Sequence, residues 1–369
     1  MKVLFLTYMP PSNASARNRV HEYLPYLEKA GIEYRVAPPF PDSHYRRFLH
    51  PRHPLDRART LLLTLRNRLA QLEMAGKYDC VFLQRELFQY GPPVLERTLR
   101  RINPNIIYDF DDAVWGYAQT DAGKLRRFLV DYDKVGKIAG FSSSVIAATH
   151  YLGDSVRRYN PNAVVIPDPI NVHRVQPKTD YKTDAVTIGW AGNPTNLPSL
   201  DLVAGALRRL SREFPVQLKV VCSTGYQLEG VKVVNKRWKL EEEAADLRSF
   251  DIGLMPLADD EVGRGKGGIK ALMCMAAGVP VVCSPVGENN HIIRDGETGF
   301  LAGEEDEWLD KLRALAMDEM LRRRLGTAGR GFVADTYPPE RLAPLFIQTL
   351  VNASLAPAAT HVDAASPDR

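Results

Sequence analysis

Short apolar runs separated by amphipathic stretches recur along the chain. In the first half the runs are KVLFLTY, EYRVAPP, DCVFLQR, NIIYDF, GFSSSV and AVVIPDP. Helical patterns lie between them, from about Arg17 to Ala30, through the Arg-rich segment after residue 46, near Pro93 to Arg101 and near Lys124 to Lys137. Strands separated by helices of this length predict a parallel sheet with right-handed crossovers. The pattern fails around Asn171 to Thr183, where NVHRVQPKTDYKT is polar and aperiodic and reads as a linker. It then resumes with AVTIGWAG, VQLKVVCS, VKVVNKR, DIGLMPL and VPVVCSPV as strands, and with helices near Leu200 to Phe214, Glu241 to Phe250 and Gly268 to Ala277.

The expected fold class is therefore α/β, two doubly wound Rossmann-like domains facing across a cleft, with ligand sites at the carboxyl ends of the strands. The boundaries read as residues 1–170 for the first domain and 184–336 for the second. Residues 337–355 follow as a helix packing back towards the first domain, and 356–369 form a small-residue, polar tail of disordered composition. Length agrees, since 369 residues exceed the roughly 250 to 300 at which single cores stop growing.

Composition narrows the class. With 45% apolar and 25% charged residues the chain is globular rather than fibrous or disordered. No run nears the roughly 20 apolar residues of a membrane span. The opening MKVLFLTYMPPS is read as a first buried strand rather than a leader, because its apolar run is short and no cleavage site follows. Cys80, Cys222, Cys274 and Cys283 show no paired spacing, which points to reduced core thiols and a cytoplasmic location. The net charge of +4 is too small to suggest nucleic acid as a partner. Its distribution is uneven: Arg46, Arg47, Arg52, Arg57, Arg59, Arg66 and Arg68 crowd one stretch with Leu61 to Leu65 among them. Residues 46–68 read equally well as a peripheral contact with the inner face of an anionic membrane or as a solvated helix face.

Two clusters carry candidate chemistry. In GRGKGGIKALMCMAAGVPVVCSPVG the glycines Gly263, Gly265, Gly267 and Gly268 precede a helix whose start is ringed by Arg264, Lys266 and Lys270. Unpaired N–H groups, a partial positive charge and close backbone approach make such a helix start an anion site; a flexible loop with incidental basic residues is the bland alternative. In YDFDDAVW, Asp109, Asp111 and Asp112 end a strand and face the cleft, or else cap the next helix. Gln84, Arg85 and Glu86 end another strand, as substrate contacts or as an interdomain salt bridge. Trp238 suits either stacking on a base or the edge of a core. His150, His291 and the histidines near residue 50 lack ligand spacing, and no metal ligands are expected.

The run KALMCMAAGVPVVCSPVGENNHIIRDGETGFLA resembles the donor-binding region of glycosyltransferase family 4, with MAAGVPVV, VG and GETGFL its most specific parts. GWAGNPTNLPSL and MKVLFLTYMPPSNASARNRVHEYLPYLEKAGIEY are similar to the starts of that family's two domains, so the likeness extends to about residue 353. The resemblance implies a GT-B fold and transfer of a sugar from a nucleoside diphosphate sugar, its co-substrate, to a glycan, lipid-linked or small-molecule hydroxyl. It also implies retention of configuration and no metal or other cofactor. Residue by residue it assigns donor phosphates to Arg264, Lys266, Lys270, Gly268, Gly192 and Asn193, sugar contacts to Glu288 and Asn289, and catalytic hydrogen bonding to Asp111 and Asp112, which stand where many members have His and Asp. In SNASARNRV, Arg17 and Arg19 replace the family's glycines. Arg17 is assigned to a phosphate and Arg19 to a surface acid. The glutamate pair of many members is absent, its positions being Gly265 and Met273, as in a branch with patterns like GKCGLKLLQYMAAG. That absence keeps open a catalytically silent nucleotide-sugar-binding scaffold, and the shared fold keeps open a nucleotide-sugar epimerase.

Overall fold

The computed structural model describes residues 1–49, 53–116 and 130–355. The chain divides into two compact units, one made of Met1–Pro169 with the chain from Leu342 onward, the other of Ile170–Arg341.

The first unit holds a parallel sheet of β1 (Lys2–Leu6), β2 (Glu33–Ala37), β3 (Cys80–Gln84), β4 (Ile106–Phe110), β5 (Ser144–Ala147) and β6 (Ala163–Val165), in the order β2-β1-β3-β4-β5-β6. Its central strands β1, β3, β4 and β5 are mostly apolar and, Lys2 apart, buried along their length because helices cover both faces, with Gln84 and Asp109 as buried polar positions near the carboxyl ends of β3 and β4. The order reverses between β1 and β3, which makes the crevice above their carboxyl ends the natural ligand position. One face is closed from far along the chain. Ala343, Phe346, Leu350 and Ala353, on the helix Pro339–Leu355, are buried among Val3, Phe5, Tyr23 and Phe82. The Phe346 ring stacks on Tyr23 with centroids 4.2 Å apart.

The second unit repeats the plan with β7 (Val186–Ala191), β8 (Val216–Val221), β9 (Val233–Lys236), β10 (Ile252–Met255), β11 (Val281–Cys283) and β12 (Phe300–Leu301), ordered β12-β11-β10-β7-β8-β9. Here the order reverses between β7 and β10. Two doubly wound α/β sheets are thus present. The stretch 171–183, read as a linker, packs on this unit: Val172, Val175 and Tyr181 are buried, and the Tyr181 hydroxyl donates to the Gly278 carbonyl at 2.6 Å. Its polarity misled because its few apolar side chains all point inward.

The Arg-rich segment continues into the helix Pro54–Ala75. Arg57, Arg59 and Arg66 are exposed, but Arg68 is 1% exposed, which corrects its reading as a surface charge. Its guanidinium donates to the carbonyls of Thr7 (2.6 Å), Ala37 (3.3 Å) and Leu87 (3.2 Å) and to Gln71, tying three chain segments together. The side chains of Arg46 and Arg47, all of Arg52, the predicted helix start near Lys124 and the tail 356–369 lie outside the described residues. All four cysteines are free and buried. Among the described residues no helix is long and apolar enough to cross a membrane.

Candidate functional site

In the second unit the loops after β7 and β10 meet at the point where strand order reverses. The helix Ile269–Ala276 starts from Gly268, whose φ of 65° lies in the left-handed region. A Cβ there would stand 2.1 Å from the Ile292 side chain, so glycine is demanded twice, by conformation and by space. With glycine as N-cap no side chain occupies the first N–H groups, and no acid sits in the first turn. The helix therefore presents bare donors and the positive end of its dipole.

Lys270 stands beside that opening, half-buried, with its ammonium 4.6 Å from the centre of the buried Trp190 ring. Desolvation, aided by the charge of Lys266, pushes its pKa down to about 8. Gly192, the residue after β7, lies against the same ammonium: a Cβ on Gly192 would come within 2.6 Å of Lys270 Nζ and 2.8 Å of Trp190. Only glycine lets the backbone pass so close, as it would to a phosphate. Asn193 is exposed and leads into the 3₁₀ helix Pro194–Val203.

The loop from Asp260 to Gly268 is built by local bonds. Asp260 accepts from the Gly263 N–H at 2.7 Å, and Gly287, with φ 53°, packs so tightly that its Cβ would lie 2.4 Å from the Arg264 carbonyl. This contact brings the Glu288–Asn289 turn beside the start of the helix Ile269–Ala276. Asn289 is fully buried; its amide donates to the Ser284 carbonyl at 3.0 Å, while Oδ1 has no partner and lies on the Gly268 side. Glu288 is buried as well. Arg264 is half-exposed, its Nε paired with Asp259 at 2.6 Å. Structure thus gathers Gly192, Lys266, Gly268, Lys270 and Asn289 around one helix start, with Arg264 at its margin. Trp238 keeps clear of the core: it is more than a third exposed, and Nε1 donates to Glu243 at 2.9 Å.

In the first unit Asp109, Asp111 and Asp112 part company. Asp109 is fully buried and meets Arg19, whose Nε donates to both carboxylate oxygens at 3.2 and 3.3 Å while Nη1 donates to the Ile166 carbonyl at 2.6 Å. Asp168 lies 3.6 Å from the same guanidinium. Burial pushes both carboxyls up to about 6 against the opposing pull of Arg19. Arg19 therefore serves a buried acid rather than the surface acid expected for it, because the short helix Ala14–Arg19 turns it into the protein. Asp111 and Arg17 are half-buried, and each keeps one polar atom, Oδ1 and Nη1, shielded from solvent without a hydrogen bond. Asp112 is half-buried beside them in sequence.

Arg85, after β3, is a residue whose geometry the sequence did not announce. Among the described residues it alone, glycines aside, has a positive φ, 58°. Its guanidinium lies over the Tyr8 ring at 4.3 Å and its Nε is 3.6 Å from Glu86. Those contacts sit within one unit, so they are no interdomain salt bridge. Gln84 braces the loop, accepting from the Tyr8 N–H at 3.2 Å and donating to Ser15 at 2.9 Å. Strain of this kind costs about 1–3 kcal/mol and clusters at functional sites.

Comparison with known proteins places this geometry. Residues 185–318 match the family model of glycosyl transferases group 1. A phosphatidyl-myo-inositol mannosyltransferase of Mycobacterium leprae (strain TN) is 38% identical over 89 residues, which are 24% of this chain and only 23% of that protein's length. Among solved structures, sucrose-phosphate synthase from Thermosynechococcus elongatus has a TM-score of 0.71 at 16% identity, covering 94% of this chain and 98% of the other. Anabaena HepE in complex with UDP and glucose has a TM-score of 0.66 at 14% identity, covering 95% and 99%. Both units thus share the GT-B fold of these structures, and through residues 185–318 the chain is similar to the group 1 glycosyl transferases.

Proposed function

We propose that the chain transfers a glycosyl group from a nucleoside diphosphate sugar to a hydroxyl acceptor, a glycan, lipid-linked or small molecule, with retention and without a metal ion. The observation that carries the reading is the uncapped start of the helix Ile269–Ala276, where left-handed Gly268, Gly192 and Lys270 converge. Negative charge grows on the diphosphate as the glycosidic bond breaks, and donors already held in place stabilise it without reorganising. Lys266 and Lys270 supply full charges, the helix start its N–H groups, and Glu288 and Asn289 hydroxyl contacts to the sugar. The HepE complexes with UDP and with UDP-glucose support this donor class. Asp111 and Asp112 are assigned to catalysis, as carboxylates that accept from sugar hydroxyls, and Arg17 to a donor phosphate. The work is done in the cytoplasm, at the inner membrane face where the acceptor is lipid-linked. Lys266→Ala should slow transfer by about two orders of magnitude or more, the cost of losing one preorganised charged donor; near-normal turnover of that variant sinks the phosphate assignment.

A second reading, a silent donor-binding subunit, is favoured by Gly265 and Met273, which leave the usual carboxylate positions empty. It predicts tight nucleotide-sugar binding with no transfer and no donor hydrolysis.

A further inference from the structure

The helix Pro54–Ala75 is built inside out. Its inward face carries Thr60, Thr64, Arg68 and Gln71, all buried, with Leu72 and Ala75 the apolar residues among them. Its outward face carries Leu55, Leu62, Leu65 and Leu69, exposed by 63%, 68%, 37% and 48%. Single exposed leucines are ordinary, but a row of them opposite a polar inward face is not. Leu55, Leu62 and Leu69 recur every seven residues and so line one side of the helix over about 20 Å. Arg59 and Arg66, also seven apart and exposed, run beside them, and Glu73 is the one exposed acid on that side.

We infer that this face docks on an anionic membrane surface, the leucines entering the boundary between headgroups and acyl chains while Arg59 and Arg66 pair with lipid phosphates and carboxylates. Charge decides for a lipid surface over a second copy of the chain. A symmetric helix pair would set arginine rows against each other with too little acid to answer them, whereas anionic headgroups complement both rows at once. The inference goes beyond glycosyl transfer and stands without it, because binding to vesicles needs no turnover.

Co-sedimentation of the full chain with vesicles of phosphatidylcholine alone, and with 30 mol% phosphatidylserine added, tests it. Each arginine brought to an anionic surface strengthens binding about fivefold, so the two together favour the anionic vesicles by roughly 25-fold, and raising the salt should erase most of that preference. Arg59→Gln with Arg66→Gln should remove the preference, and Leu62→Ser with Leu69→Ser should weaken binding to both vesicle types by tenfold or more. Circular dichroism and UDP binding, both unchanged, show that these surface variants remain folded. Equal binding of all variants, or no binding to anionic vesicles, overturns the inference. So does a dimer in sedimentation velocity that dissociates in Leu62→Ser with Leu69→Ser, which assigns the face to a second copy.

Discussion

Nucleotide binding should weaken with alkali at a pH set by one residue. Lys270, desolvated beside Trp190 and repelled by Lys266, holds its proton with a pKa of about 8. A bound diphosphate supplies the missing counter-charge and returns the ammonium to at least the ordinary lysine value near 10.4. Phosphates titrate near 6 and are already ionised at pH 7, so they add no slope of their own. With those two values the dissociation constant is flat below pH 7, about tenfold larger at pH 9, and binding at pH 8 takes up about half a proton. The empty protein should do the opposite. A lysine whose folded pKa is depressed costs stability while charged, so stability rises as pH climbs through 8 towards the unfolded value. Calorimetric titration with UDP and with GDP at pH 7, 8 and 9, in buffers of different ionisation heat, measures both affinity and proton uptake. Lys270→Arg, which stays charged, should bind without the slope, and Lys270→Met should bind weakly at every pH. A native dissociation constant that holds steady from pH 7 to 9, with no proton taken up, refutes the placement of Lys270 on the phosphates.

Other expectations are more local. Gly268→Ala puts a Cβ at φ 65° and 2.1 Å from Ile292, and should cost roughly 1–2 kcal/mol and most of the nucleotide affinity in thermal-shift assays. Gly331→Ala, in the helix Glu319–Thr336 with open space around it, should instead stabilise by about 0.5–1 kcal/mol. Asp168→Asn tests the buried acids. Because the folded pKa of about 6 lies above the unfolded value, native stability falls as pH rises from about 4 through 6 and then levels. The variant should therefore gain on the native protein across that window, by on the order of 2 kcal/mol, and a constant difference between pH 4.5 and 7.5 in urea melts would contradict the assignment. At Arg85 the usual order should invert, with Arg85→Gly more stable than Arg85→Ala by about 1 kcal/mol, since alanine keeps the left-handed strain and glycine releases it.

Features that depend on neighbours in sequence were readable, and those that depend on partners far away were not. The strands KVLFL, CVFLQ and IIYDF announced themselves as apolar runs because helices bury both faces of the sheet. The glycine-capped helix Ile269–Ala276 announced itself because a cluster of glycines before an apolar run marks a helix start. Arg19 and Asp109, by contrast, are ninety positions apart, and nothing near either tells a buried pair from two surface charges. Arg68 looked like one more member of a basic cluster, since the three carbonyls it binds come from distant strand ends. The left-handed turn at Arg85 left no mark, because such turns are recognised by glycine or asparagine and this one is enforced by Tyr8, Glu86 and Asp109, whose carbonyl accepts the Arg85 N–H at 2.7 Å.

The helix Pro339–Leu355 has a consequence for how the protein is made. The second unit is one unbroken stretch, while the first takes Phe346, Leu350 and Ala353 into the core formed by Val3, Phe5 and Phe82. A ribosome delivers those residues only after the whole of the second unit, so the first unit's core is completed after the second unit has been made. Until then the aromatic face at Tyr23 and Phe82 lacks the Phe346 ring that covers it, and a messenger cut short before residue 342 leaves that core incomplete.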